Sequence, residues 1–177
     1  WQCVSIHPVA AVWADRQASP QTDIFIIDQG CAGCSGEEKI RQAAKELKDS
    51  HLDFRFISAP DVMMWLTNLR GHDLCFTPVH LCFGILSASG QLTFVTNNSQ
   101  ITEQGYDCVA WTELEKYLAS LKGQSIGYDP TTLPVAVHGY LRQAGGNLSA
   151  EPDPLVARKA CKTKAEVDGF RQAHLLD

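Results

Sequence analysis

The sequence predicts an α/β domain in which a mixed sheet is layered against helices. Three observations carry that reading. The segment DFRFIS at 53–58 alternates so that Phe54 and Phe56 share one face and Arg55 takes the other, the two-residue period of a strand. Two apolar runs, VHLCFGIL and QLTFVT, flank Ser87-Ala88-Ser89-Gly90 and read as a β-hairpin with glycine in its turn. Helical spacing recurs on either side: Ile40, Ala43, Ala44 and Leu47 before these strands, Leu114, Tyr117, Leu118 and Leu121 after them.

Residues 1–36 begin with a short apolar stretch, HPVAAVWADR, and a turn-rich break at SPQT. DIFIID at 23–28 is expected to be a short strand or an extended linker. Ser35 and Glu38 make a capping box for the first long helix. Pro60 ends the DFRFIS strand and seats a short helix carrying Val62, Met63, Trp65 and Leu66, which Gly71 is expected to close. Thr112 and Glu115 read as a second capping box, and 124–129 as a strand ended by Pro130. A helix is expected over 133–144, with Val135, Val137, His138 and Leu141 turned partly inward and Gly145-Gly146 closing it. Pro152 and Pro154 then break the chain before LVARKA. Thr163 and Glu166 form a third capping box, for a helix with Val167, Phe170 and His174 on one face. Lys162 and Lys164 at its start oppose the helix dipole, so packing against a further segment is expected to fix it.

At 177 residues, 45% of them apolar, the chain has the size of one domain, or one domain with attachments, and can bury roughly two-thirds of its unfolded surface. A net charge of −5 without a basic cluster argues against a nucleic-acid partner or an acidic membrane. No apolar run is long enough to span a bilayer, and no basic region leads into a hydrophobic one at the N-terminus. The seven cysteines, scattered through apolar stretches, fit reduced, mostly buried thiols and a cytoplasmic location. The sequons at Asn97 and Asn147 would matter only in the secretory pathway. Starting at Trp1 and ending at Asp177 within a helical pattern, the chain reads as a piece of a larger protein.

Several motifs carry potential chemistry. Cys31-x-x-Cys34 between a β-branched run and a helix is how thioredoxin-like enzymes place a low-pKa thiol, but no aromatic residue precedes the pair and the later strands do not repeat that order. A zinc knuckle lacks its second close pair, since Cys75 and Cys82 are too far apart. Gly30, Gly33 and Gly36 lack both the Walker lysine and the Rossmann spacing. Asp61, Asp73, Asp107 and Asp129 have no helical histidine partner and read as caps or turn residues. His138 has no second ligand at i±3 or i±4 and reads as a core or interface histidine. The charged knot Arg70-Gly71-His72-Asp73 sits between hydrophobic segments. Arg70 and Asp73 either pair or cap the helix end, with Gly71 in a left-handed backbone, or the knot faces a partner or an active-site rim.

WLTNLRGHD, followed by a Pro-Val pair and the hairpin, resembles the N-terminal region of Xaa-Pro aminopeptidases, where a Trp-Leu-x-Asn-Leu-Arg-Gly-x-Asp run ends a short helix before such a hairpin. Trp65, Leu66, Asn68, Leu69, Arg70, Gly71, Asp73, Pro78 and Val79 match, while His72 and Thr77 stand where serine and asparagine are common. Trp13, Asp15 and Arg16 match a run at the exit from that family's first domain, with Gln17 where proline is usual. Lys162, Glu166, Arg171, Ala173 and His174 match the run that opens its catalytic pita-bread domain.

The resemblance implies a creatinase-type N-terminal fold, ribonuclease H-like in layout. Residues 1–36 would be the tail of a preceding domain and a linker, 37–155 the second domain, and 156–177 the start of a truncated catalytic domain. It implies a parent enzyme that cleaves the bond before a proline in second position of a peptide, using two divalent metal ions, usually manganese. The family's two Asp, one His and two Glu ligands follow the point where this chain stops, so neither a catalytic nor a metal-binding residue is expected within it. The domain would pack on the catalytic domain of the same protein, narrow access to the metals, and support homo-oligomer contacts. Arg70, His72 and Asp73 are candidates for the substrate-access rim, and Trp65, Asn68, Gly71 and Pro78 for structural roles. A creatinase-like amidinohydrolase, a free-standing interaction module without peptidase activity, and a CxxC thiol oxidoreductase are the rival readings.

Overall fold

The computed structural model describes residues 8–16 and 22–176. Helix α1 (Pro8–Val12), strand β1 (Phe25–Ile26), and helices α2 (Gln29–Ala32) and α3 (Gly36–Asp49) open the chain. β2 (Phe54–Ile57), α4 (Pro60–Thr67), β3 (Leu69–Arg70) and the hairpin β4 (Phe83–Ser87) and β5 (Leu92–Val95) follow. Next come α5 (Gln100–Glu103), β6 (Asp107–Val109), a 3₁₀ turn (Trp111–Glu113), α6 (Leu114–Ser120) and β7 (Ser125–Tyr128). The remainder is α7 (Val135–Gln143), β8 (Asn147–Ala150), α8 (Pro154–Ala160) and α9 (Lys164–Leu176).

Six strands form one sheet in the order β6-β5-β4-β2-β7-β8. β2, β4 and β5 make an antiparallel meander; β7 then joins β2 in parallel, and β8 joins β7 in parallel. That is the ribonuclease H-like layout, extended by β6 running parallel to β5. β1 and β3 form a separate antiparallel ribbon beside it.

The two-residue period of the strands sorts the core into two layers. Phe56, Ile85, Val95 and Ile126 meet Leu114, Leu118, Val137 and Leu141 from α6 and α7. Ile57, Leu86, Leu92 and Phe94 face the other way, against Ile40, Ala43 and Leu47 of α3 and Val62, Met63 and Leu66 of α4. Arg55 shares this second face and is buried. Its guanidinium pairs with Glu151 through Nη2, and its Nη1 lies 3.9 Å from Asp153 Oδ1. Asp153 in turn caps α8 by accepting from Leu155 N at 3.0 Å. Burial pushes the Asp153 carboxyl up, the Arg55 charge acting in the opposite direction.

The three expected capping boxes have different outcomes. Thr163 and Glu166 form theirs reciprocally, with Thr163 N donating to Glu166 Oε2 at 2.8 Å and Glu166 N to Thr163 Oγ1 at 3.2 Å. Ser35 accepts from Glu38 N at 3.2 Å, while the Glu38 carboxylate turns to Arg41 and Gln42. Thr112 and Glu115 form none, because the chain tightens into the 3₁₀ turn and Asn97 Oδ1 accepts from Trp111 N at 3.1 Å. Val135, expected to face partly inward, is 88% exposed, since Val137 and Leu141 take the core side of α7. The thiols also depart from expectation. Cys82 is buried, but Cys31, Cys75 and Cys161 are exposed because they sit in short helices and loops outside the two layers; Cys3 lies outside the described residues.

Gly84 shows how closely α4 lies on the sheet. A Cβ there would stand 2.1 Å from Met63 Sδ, and Met63 is fully buried. Gly84→Ala is therefore expected to lower folding stability by about 1–3 kcal/mol in urea denaturation, the cost of overpacking a closed core. Gly84→Ala combined with Met63→Val should recover part of that loss.

Candidate functional site

The charged knot is built outward from the end of α4. That helix stops at Thr67 because Asn68 takes a left-handed backbone, φ 61 and ψ 13, which asparagine tolerates better than most residues. Asn68 Nδ2 donates to Cys34 O at 2.9 Å, and its Oδ1 accepts from Lys39 Nζ at 2.7 Å. Lys39 Nζ also donates to Trp65 O at 2.9 Å and lies 4.8 Å from the Trp65 ring centroid. Burial lowers the Lys39 pKa, and the neighbouring Arg70 charge adds to that, against Glu166 and Cys34. Trp65 and Asn68 thus tie α4 to α3 through a buried cation. Gly71 does not close the helix. A Cβ at Gly71 would come within 3.0 Å of His80 Cβ, so it is there to let two backbone segments pass.

Arg70, His72 and Asp73 go to three environments. Arg70 is half-buried, and its Nη1 donates to Met64 O and Leu69 O, each at 2.7 Å, so it caps the helix end as one reading proposed. Among the described residues it forms no ion pair with Asp73. His72 is exposed and stacks on Phe25, ring centroids 5.1 Å apart. Asp73 is buried and collects donors. Its Oδ1 accepts from Thr22 N at 3.1 Å and Thr22 Oγ1 at 2.7 Å; its Oδ2 accepts from Leu81 N at 2.8 Å. His80 Nδ1 faces the same oxygen at 2.8 Å, and His80 Nε2 lies 2.8 Å from Thr96 Oγ1. Thr96 Oγ1 accepts from Asn98 N at 3.2 Å. Because the Asp73 carboxylate only accepts, the imidazole proton belongs on Nδ1, and Nε2 accepts the Thr96 hydroxyl proton. Pro78 lies exposed in the 74–79 loop, whose Phe76 is fully exposed at φ 61.

Thr96, His80 and Asp73 repeat the hydroxyl–imidazole–carboxylate order of a nucleophilic triad. Here it cannot act as one. All three side chains are buried, so no substrate reaches them from solvent. Burial opposes the Asp73 charge, yet the Thr22 and Leu81 donors and His80 outweigh it and hold the carboxyl below its ordinary range. Burial lowers the His80 pKa more than Asp73 raises it, so the imidazole is neutral. The sequence reading named Asp73 but missed Thr22, His80, Thr96 and Lys39. Only His80, a histidine inside an apolar run, stood out locally.

The sequence profile of the Creatinase/Prolidase N-terminal domain matches residues 15–166. The chain belongs to that family. Xaa-Pro aminopeptidase 1 of Dictyostelium discoideum is 27% identical over 167 residues, 89% of this chain and 26% of that protein. A probable Xaa-Pro aminopeptidase P of Coccidioides posadasii is 32% identical over 184 residues, 96% of this chain and 30% of that protein. The X-prolyl aminopeptidase of Caenorhabditis elegans, described as a cytosolic enzyme with a di-nuclear active site, superposes with a TM-score of 0.81 at 18% identity, over 97% of this chain and 30% of that one. The Xaa-Pro aminopeptidase of Streptococcus thermophilus gives a TM-score of 0.52 at 16% identity, over 69% of this chain. This creatinase-type chain thus spans less than a third of the curated relatives it matches. Its mixed sheet flanked by helices is the family's fold.

Among the described residues no group of three or more His, Cys, Asp or Glu side chains could hold a metal ion. A dinuclear centre therefore does not fit the residues described. No described helix is long and apolar enough to cross a membrane.

The Asp73–His80 pair makes stability fall on acidification. A neutral His80 with a lowered pKa contributes stability above the unfolded histidine pKa of about 6.5, lost as pH falls below it; the lowered Asp73 contributes above about 3.9, lost as pH falls further. Urea midpoints should decline from pH 7.5 to 5, and His80→Gln should flatten that decline. An unchanged slope would exclude His80 as its source.

Proposed function

We propose that this chain is a non-catalytic N-terminal portion of a cytoplasmic Xaa-Pro aminopeptidase, a metallopeptidase that removes the residue before a proline in second position. The observation that carries the reading is the WLTNLRGHD run within a family match over residues 15–166. Relatives bearing that activity in their names align with nearly the whole chain. In the parent, two divalent ions, manganese by preference, would be held by the catalytic domain and activate the attacking water.

The role of this portion is to pack on the catalytic domain and shape substrate access. Two features support it. The outer side of α9 leaves Phe170 54% exposed beside Val167 and His174, an apolar face of the kind a further domain covers. Arg70 and His72 remain accessible next to the buried Asp73 network, which holds their loop in place. Arg70 and His72 are the rim residues in this reading. Asp73 is a positioning residue behind them. Exposed Phe25 and Phe76 are available for contacts in a homo-oligomer or with another partner.

The test uses a longer protein that contains this chain and its downstream region. It should hydrolyse Xaa-Pro peptides and not creatine, lose activity to a chelator and regain it with Mn²⁺, whereas the 177-residue chain alone stays inactive. Arg70→Ala should raise KM or lower kcat roughly tenfold, about 1.4 kcal/mol of transition-state binding, in a protein that remains folded although the cap on α4 is lost. Unchanged kinetics would remove Arg70 from the rim. A longer protein without Xaa-Pro hydrolysis would favour the interaction-module reading.

A further inference from the structure

We infer that the cleft between α2 and α9 binds a carboxylate carried on a small apolar body, with Arg70 as the anion-binding group. The cleft has a volume of about 660 Å³, in the range that holds small ligands. Ile27, Ala32, Ala165, Phe170 and Ala173 supply its apolar lining, and Arg70 is the only cation in it among the described residues. The site is preformed, because Thr163 Oγ1 donates to Ala32 O at 3.3 Å and the capping box fixes the first turn of α9.

Arg70 suits an incoming anion. Its Nη1 is held by Met64 O and Leu69 O, which sets the plane of the guanidinium, while its Nη2 and Nε have no hydrogen-bond partner among the described residues. It makes no ion pair among those residues. Burial lowers its pKa, the nearby Glu166 only partly opposing this, and a carboxylate bound to Nη2 and Nε would form charge-assisted hydrogen bonds there.

Two acids also line the cleft, and both are engaged. Glu166 Oε2 accepts from Thr163 N, and Asp168 pairs with Lys164 and Arg171. Among the described residues, one cation without an ion pair beside two occupied acids favours a singly charged ligand over a phosphate dianion. Phe170, 54% exposed, then gains burial against the apolar part of the ligand. The inference concerns affinity of this chain and does not depend on the peptidase assignment.

The probe is N-acetyl-leucine, with N-acetyl-leucinamide as the uncharged control, titrated into the ¹⁵N-labelled 177-residue chain. The acid should bind saturably and shift the amides of Gly169, Phe170 and Ala32, and the amide should bind at least about tenfold more weakly, as loss of a charge-assisted pair requires. Arg70→Gln should abolish the difference between the two. Because Arg70 also caps α4, Gly169→Leu serves as a second variant: Gly169 lines the cleft and a Cβ there meets nothing within 4 Å, so the bulk is added at the cleft wall without a clash. It should abolish binding and leave the melting temperature unchanged or higher. Equal binding of acid and amide, no shifts at these amides, or full affinity in a folded Gly169→Leu would each overturn the proposal.

Discussion

A buried carboxylate dictates the arrangement around the WLTNLRGHD motif. Asp73 has a side chain only 1% exposed, and an unpartnered charge at that depth would be costly by several kcal/mol. The fold meets this by bringing donors from three places: the N-terminal strap at Thr22, the backbone of Leu81, and the His80 ring. His80 then requires Thr96 at the end of β5, and Asn98 Nδ2 returns to Thr22 O at 3.0 Å. One charge thus fixes the strap, the 71–81 loop and the exit of the hairpin relative to one another. It also places β1 against β3.

The same logic acts at Arg55 on the central strand. The cation there is buried, and it draws in Glu151 after β8 and Asp153 at the start of α8. These acids lie close to one hundred residues away along the chain, so the ion cluster fixes where the last strand and the following helix dock. Asp129 strengthens the corner by accepting from Asp153 N at 3.1 Å. Breaking either charge cluster would expose the other members to burial without compensation, which makes both clusters specificity devices for this topology as much as sources of stability.

The parts of the fold legible in the sequence are those where one element carries its own pattern. Phe54 and Phe56 alternate with Arg55 and Ile57, and the strand sorts them to opposite layers as the alternation demands. Ile40, Ala43 and Leu47 are buried for the same local reason. β6 and β8 were not legible, because three and four residues of ordinary composition take their strand character from the neighbour they pair with. The end of α4 was misread because glycine is the commoner left-handed cap. Asn68 takes that position here through its side-chain bonds to Cys34 and Lys39, which are distant in sequence. Asp73 was visible as a charge among apolar residues, but its meaning lay in Thr22, 51 positions earlier.

Adjacent charges in one motif have opposite fates, and the backbone explains why. In β3 and the turn that follows, Asp73 points toward the core side, where His80 and Leu81 return, while Arg70 leans back over the carboxyl end of α4. A carboxylate, which accepts only, can be saturated by backbone and hydroxyl donors that a folded chain supplies freely. A guanidinium has five donors in a rigid fork, and the helix end offers it two carbonyls, both to Nη1. The fold therefore closes around Asp73 and leaves the remaining Arg70 donors facing outward at a cleft. That asymmetry follows from the hydrogen-bonding capacity of the two side chains.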